Sequence, residues 1–283
     1  MALPTFLIIG APKAGSTSLY HYVGQHPDVF TSAVKEPGFF WTYKTEGKVE
    51  TLQEYQKLFK GSETFKAVGE GSPTYLFDEN APRLIKELIP GAKLVAILRD
   101  PYERAFSDFV FLRLRGQEPE EAFLRAVHAD NGRPAELRFN YIGQGLYHRN
   151  LARYLSIFDR DQMKVVLLDD LQTRPDDVVS EVFSFLEVDP SVQVDTTVTL
   201  TQSGVPRLRM IHWLLSDRNP VKRWLTPLVP ERAQRSMRRV RSANLEKQTM
   251  SPDDRRELAS HFEADLDQLE KLLDRDLSSW RAG

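Results

Sequence analysis

The stretch that most constrains this chain runs from Phe6 to Ser18 and reads FLIIGAPKAGSTS. Four apolar residues, Phe6-Leu7-Ile8-Ile9, end abruptly at Gly10. A loop of small residues follows with one lysine, Lys13, and then three hydroxyls, Ser16, Thr17 and Ser18, lead into Leu19-Tyr20-His21-Tyr22-Val23. Such a run is a buried strand, a tight turn and the first turn of a helix. Glycine and alanine let the backbone approach a ligand closely. The start of a helix offers unpaired N–H groups and the positive end of a macrodipole. The pattern predicts an anion site, most directly for a phosphate, formed by Pro12, Lys13, Ala14, Gly15, Ser16, Thr17 and Ser18. A plain strand-to-helix turn capped by a serine is the alternative, but a lysine and three hydroxyls together exceed what a cap requires. Gly10 and Gly15 have the spacing of the nucleoside-triphosphate loop G-x-x-x-x-G-K-[ST]. Ser16, however, stands where that motif has its lysine, and the lysine lies inside the loop at position 13.

The rest of the chain continues as an α/β protein. Phe65 to Gly69, Lys93 to Leu98 and Met163 to Leu168 read as strands; the second is a continuous apolar run, as expected of a central parallel strand. Helical patterns cover Leu52–Phe59, Asn80–Leu88, Glu118–His128, Tyr147–Phe158, Asp176–Leu186 and Pro252–Leu273. The last has Ser251 as its N-cap and proline at the first helical position. The expectation is a P-loop-like three-layer fold, a central parallel sheet flanked by helices. It forms one domain over 1–283, whose C-terminal helical part begins near 204. Arginines crowd that part, from Arg232 to Arg241 above all.

Composition narrows the function classes. With 283 residues, 41% hydrophobic and 28% charged, the chain can bury a large core. A net charge of −2 supplies no bulk attraction for a polyanion, so no nucleic-acid partner is expected. The absence of cysteine rules out disulfides, thiolate catalysis and Cys-ligated metals. No basic leader and no membrane-length apolar run is present, so the expected location is cytoplasmic and no transmembrane segment is expected.

Further polar groups gather where open α/β sheets bind ligands, beyond the carboxyl ends of strands. Arg99 sits at the tip of the strand ending at Leu98, Asp100 can cap the next helix, and Ser107 lies two turns along it with Arg104 on the same face. Arg99 is placed to grip a second anion bidentately; pairing with a nearby carboxylate is the alternative. Lys35-Glu36-Pro37 adjoins the aromatics Phe39, Phe40 and Trp41, either as a site or as a solvated ion pair beside an apolar patch. Glu70-Gly71-Ser72-Pro73-Thr74-Tyr75 follows the second strand. Ser203-Gly204-Val205-Pro206-Arg207 is a loop with an arginine at its end, and His148 opens a helix. Two separated anion grips suit a ligand with two phosphates better than a triphosphate.

In this order PKAGSTS, KEPGFF, EGSPTYL, LRDPYERAFSDF and SGVPRLR resemble the sulfotransferases that use 3′-phosphoadenosine-5′-phosphosulfate, over about Phe6 to Trp280. Within that family the motifs look most like the bacterial and heparan-sulfate-type group. The resemblance implies that Lys13 and Gly15 to Ser18 cradle the 5′-phosphosulfate. Arg99 and Ser107 would hold the 3′-phosphate, with Arg207 closing over it. Glu36 matches the family's base, and His148 is the second candidate. Lys35 would contact the sulfuryl group or the acceptor, and Phe40, Trp41 and Tyr75, with Phe39, would line an acceptor pocket; core packing is the alternative for Phe39 and Phe40. The family needs no metal, and the product is adenosine 3′,5′-bisphosphate. The Golgi members carry a membrane anchor and a cysteine pair; this chain has neither, which points to a bacterial-type enzyme. The acceptor would be a hydroxyl of a small molecule, glycan or lipid. The alternatives are a P-loop kinase, with Val165-Val166-Leu167-Leu168-Asp169 as its Mg²⁺-holding strand, and a non-catalytic nucleotide-binding protein.

Overall fold

The computed structural model describes residues 3–43, 47–130, 139–197, 205–206, 245–246 and 249–281. The Phe6–Gly10 run forms strand β1, and the hydroxyl cluster opens helix α1, Ser16–Val23. Then follow β2 (Val29–Thr31), α2 (Leu52–Lys57), β3 (Ala67–Gly71), a 3-10 turn (Pro73–Leu76), α3 (Ala81–Leu88) and β4 (Lys93–Leu98). Beyond them come α4 (Pro101–Leu114), α5 (Phe123–Asp130), α6 (Tyr147–Leu155), β5 (Met163–Leu167), α7 (Leu168–Thr173) and α8 (Pro175–Phe185). A two-residue pair, β6 (Val205–Pro206) with β7 (Leu245–Glu246), precedes the long α9, Pro252–Leu273.

The five longer-paired strands form one parallel sheet in the order β2-β3-β1-β4-β5. Alternation along β1 and β4 sends Phe6, Ile8, Val95 and Ile97 to one face, where Leu19, Val23, Val182 and Phe183 of α1 and α8 cover them. Leu7, Ile9, Leu94 and Ala96 point to the other face, into a core shared with α3, α4, α6 and α9. Both faces are dry, which is why these strands are apolar without interruption; each fully buried leucine or isoleucine contributes about 1.5–3 kcal/mol. The expected three-layer architecture is therefore present. β1 lies between β3 and β4, so the chain leaves it in one direction and later returns on the other side. The ligand crevice of such a sheet opens beyond the carboxyl ends at that reversal.

Several expected boundaries move, each for a local reason. The strand expected over 65–69 is Ala67–Gly71, so Glu70 lies inside the sheet rather than beyond its tip. The helix expected from Glu118 begins at Phe123. The Glu118 carboxylate instead accepts from the Glu120 N–H (2.8 Å) and the Tyr141 hydroxyl (2.6 Å), a local bond that competes with a helix start. The strand expected to reach Leu168 stops at Leu167, and Asp169 and Asp170 fall in the first turn of α7. β2, three residues at the sheet edge, is too short to show a period in the sequence. Two caps fall where expected. Asp100 accepts from the Tyr102 and Glu103 N–H groups, and Ser251 accepts from Asp254 (3.0 Å). Arg207 and the basic run Arg232–Arg241 lie outside the described residues. Among the described residues no helix is long and apolar enough to cross a membrane.

Candidate functional site

The loop after β1 closes on Gly15, which has φ 93° and serves as the residue before α1. A side chain there would be strained, and its Cβ would come within 2.7 Å of Leu168 Cδ1. Gly15 offers no side-chain cap, so the serine-capped turn is not what forms. The hydroxyl residues instead occupy the first turn of the helix behind an uncapped N-terminus. Lys13 also takes a left-handed conformation, φ 64°, at the crest of the loop. Its ammonium lies 4.0 Å from the centre of the Phe111 ring on α4. Burial pushes the Lys13 pKa down; Asp108 opposes that shift, and Arg99, Arg115 and Arg104 add to it. A bound anion would supply the missing counter-charge.

Arg99, the second candidate anion group, is bonded to the first loop and also makes the carboxylate pairing given as its alternative. The Arg99 guanidinium donates to the Lys13 carbonyl (3.3 Å) and pairs with Glu103 one turn on (3.2 Å). Ser107 is buried two turns along α4. Arg104, which helical spacing puts on the Ser107 face, belongs to the core instead. It is fully buried and donates to Asp108 (3.3 Å), to Gln144 Oε1 (3.0 Å) and to the Tyr141 carbonyl. Burial raises the Asp108 pKa, while Arg104 and Lys13 oppose the shift.

On the opposite flank, the Lys35–Gly38 turn crosses the end of β3. Glu36 is exposed and paired with Lys35 Nζ. Its φ of 62° and the 65° of Gly38 place left-handed residues on both sides of Pro37. The Glu36 N–H donates to the Gly71 carbonyl (3.0 Å), and the Gly38 N–H to Ser72 Oγ (3.3 Å). Of the expected pocket-lining aromatics, only Trp41 keeps partial exposure along with Phe39. Phe40 and Tyr75 are corrected to core residues: they pack edge to face with each other at 5.6 Å, and Phe40 packs likewise on Tyr55. The Tyr75 hydroxyl accepts the Phe40 N–H (3.3 Å), so it supports the turn from beneath.

His148 is not brought to this crevice by any contact among the described residues. It opens α6, where its N–H and that of Arg149 donate to Asp265 of α9 at 2.9 and 3.0 Å. Asp169, the Mg²⁺ ligand of the kinase alternative, accepts the Trp280 indole N–H (2.7 Å). Asp170 is bound by Arg275 and Arg174. Among the described residues no group of His, Asp or Glu is arranged to hold a metal ion.

Sequence reasoning assigned no role to Glu70. It is fully buried in β3, and its carboxylate accepts from Ser72 Oγ (2.9 Å) and the Tyr55 hydroxyl (3.3 Å). Burial pushes its pKa up to about 7; bonds from Ser72, Tyr75 and Tyr55 oppose the shift, and the Glu36 charge adds to it. A glutamate at a strand end with serine two residues on was the available signal. Its hydroxyl partner Tyr55 comes from a distant element, α2.

Comparison with known proteins agrees with this geometry. A family model described as a sulfotransferase domain matches residues 3–270. Carbohydrate sulfotransferase 15 of Homo sapiens is 28% identical, covering 66% of this chain and 44% of its own. The bifunctional heparan sulfate N-deacetylase/N-sulfotransferase 3 of Homo sapiens is also 28% identical, covering 70% of this chain and 24% of its own. This chain thus spans less than half the length of these curated relatives. Among solved structures, a sulfotransferase from Alicyclobacillus acidocaldarius superimposes with a TM-score of 0.77 at 28% identity over 99% of each chain.

Proposed function

The chain belongs to the sulfotransferase domain family, and from that premise we propose that it moves a sulfuryl group from 3′-phosphoadenosine-5′-phosphosulfate to an acceptor hydroxyl. The residues fit such a donor. A loop with an open helix start, a buried lysine whose charged form burial disfavours, and an arginine-bearing strand tip form two adjoining candidate anion grips. The observation that carries the reading is the bond from Arg99 to the Lys13 carbonyl (3.3 Å), which ties the two grips into one surface.

When bound, the donor supplies the sulfuryl group and leaves as the 3′,5′-bisphosphate. The loop from Pro12 to Ser18 would hold its 5′ side through the N–H groups of Lys13, Gly15, Ser16 and Thr17 and the hydroxyls of Ser16, Thr17 and Ser18. Lys13 sets positive charge where negative charge develops on the leaving oxygen. Arg99 and Ser107 would hold the 3′-phosphate; Arg207, expected to act with them, lies outside the described residues. Glu36 would take the acceptor's proton; Lys35 is paired with its carboxylate and would contact the sulfuryl group or the acceptor. Trp41 flanks the acceptor. No metal is needed for these roles, and a cytoplasmic setting suits a cysteine-free chain. The relatives' names favour a carbohydrate acceptor, ahead of a small phenol or a lipid alcohol; a labelled-sulfate screen across those classes identifies it.

The first test is thermal. Adenosine 3′,5′-bisphosphate should raise the melting temperature several degrees more than AMP at equal concentration, because stabilisation follows differential affinity for the folded state. Equal shifts would remove the case for a second phosphate grip.

A further inference from the structure

Glu70 has no part in the scheme above, yet it is bonded into the turn that presents Glu36. The connection runs in three steps. The Gly38 N–H donates to Ser72 Oγ (3.3 Å), and the Ser72 hydroxyl donates to Glu70 Oε2 (2.9 Å). Glu70 Oε1 in turn accepts from the Tyr55 hydroxyl of α2 (3.3 Å). On the other side of Pro37, the Glu36 N–H is tied to the Gly71 carbonyl (3.0 Å). The turn therefore stands on residues 70 to 72 at both ends. It needs such support, since Glu36 and Gly38 have φ of 62° and 65°. A non-glycine residue held there costs about 1–3 kcal/mol and persists only when its surroundings impose it.

The chemistry of the support calls for a carboxylate. Both Glu70 oxygens face donors, and an ionised carboxylate can accept at both. A carboxamide or a protonated acid has one oxygen free to accept and would present a donor to the other hydroxyl. The groups facing Glu70 come from every element around it: Tyr20 of α1, Tyr55 of α2, Tyr75 of the 3-10 turn, Tyr154 of α6, Ser72 and the Glu36 carboxylate. Among the described residues no salt bridge reaches it. A buried acid without a counter-ion contributes little to stability, so its place must be explained by what it holds.

We propose that Glu70 is a positioning residue for sulfuryl transfer: through Ser72 it fixes the Lys35–Gly38 turn and so the direction of the Glu36 carboxylate. The proposal rests on Glu36 being the base, and the test separates the two. Transfer of labelled sulfate is followed to p-nitrophenol, a desulfated glycosaminoglycan tetrasaccharide or water, whichever is fastest with the unmodified protein. Glu70→Gln and Ser72→Ala should each lower kcat about 10- to 100-fold, the scale of a small misplacement of a reacting group, with the donor KM unchanged. The fall in kcat on the acid side near pH 7 should vanish in Glu70→Gln. In the Glu36→Gln background, Glu70→Gln should cause no further loss, because coupled residues are non-additive. Full kcat in Ser72→Ala, or losses that multiply in the double variant, overturns the positioning role. Full kcat in Glu36→Gln overturns the base reading instead. If Glu70→Gln does not fold, Ser72→Ala cuts the same connection without touching the buried acid and decides the matter alone.

Discussion

Two buried carboxylates, one beside each half of the candidate site, are treated in opposite ways. Asp108, on the β4–α4 flank, bonds Arg104 and lies in the field of Lys13. Glu70, on the β3 flank, has hydroxyls for partners and the negative Glu36 for a neighbour. Burial raises both pKa values, but only Asp108 has cations that oppose it. One flank thus concentrates positive charge, from Lys13, Arg99 and Arg104, and can hold an anion. The other carries acids and tyrosines, and can hold or move a proton. Sulfuryl transfer needs both functions side by side: charge to receive the leaving phosphate and a base to strip the acceptor.

The largest expected effect breaks the proton-handling flank. Glu36→Gln should lower kcat about 10²–10⁴-fold, the usual contribution of a general base, while the bisphosphate still raises the melting temperature. His148→Ala is the control. Its contacts run to Asp265 rather than to the crevice, so turnover should stay close to that of the unmodified protein. The opposite pattern, with His148→Ala slow and Glu36→Gln fast, would reverse the assignment.

The cation-rich flank breaks through stability. Arg104 is fully buried, and its removal takes a donor from Asp108, from Gln144 Oε1 and from the Tyr141 carbonyl. Arg104→Met should cost about 3–5 kcal/mol, because the uncompensated partner of a buried ion pair stays behind. Denaturant unfolding reads this as a lower midpoint. A change below about 1 kcal/mol would mean that the pair resembles an exposed one. Restoring much of the loss with Arg104→Met/Asp108→Leu would show that the orphaned acid, not lost packing, is the cause.

What could be read in the sequence divides along the same line. The cation-rich flank was legible because its information is local. Gly10, Lys13 and Gly15 lie within one loop, and Arg99 and Ser107 lie on one strand tip and the helix after it. Arg104 and Ser107, expected on one face of the helix, are both buried; spacing along a helix does not say that this face lies in the core. The β3 flank was legible at Lys35-Glu36-Pro37 but not beneath it. Glu70 is buried in the sheet, where the Tyr55 hydroxyl reaches it from α2 and Tyr20, Tyr75 and Tyr154, from three further elements, lie in its field. Phe40 and Tyr75 belong to the same cluster, and an aromatic run cannot by itself separate a pocket wall from its foundation. Asp169 looked like a metal ligand because the helix that begins at Leu168 has no glycine or proline to announce it.

The smallest effect sharpens the contrast between the two acids. Glu70 has a folded pKa of about 7 against an ordinary 4.5. An acid whose folded pKa is raised favours the folded state while it is protonated. Its contribution is therefore fully present below about pH 4.5 and is lost as pH rises through about 7. The span corresponds to on the order of 3 kcal/mol. Glu70→Gln cannot ionise, so its stability relative to the unmodified protein should rise between pH 4.5 and pH 8 by up to that amount. Unfolding midpoints of the two proteins across this range give the comparison. Parallel curves would show that Glu70 is not the buried, unpaired acid described here. Divergence with rising pH, with Glu70→Gln the more stable protein at pH 8 yet the slower enzyme, would show that this position gives up stability at working pH in order to hold the Glu36 turn.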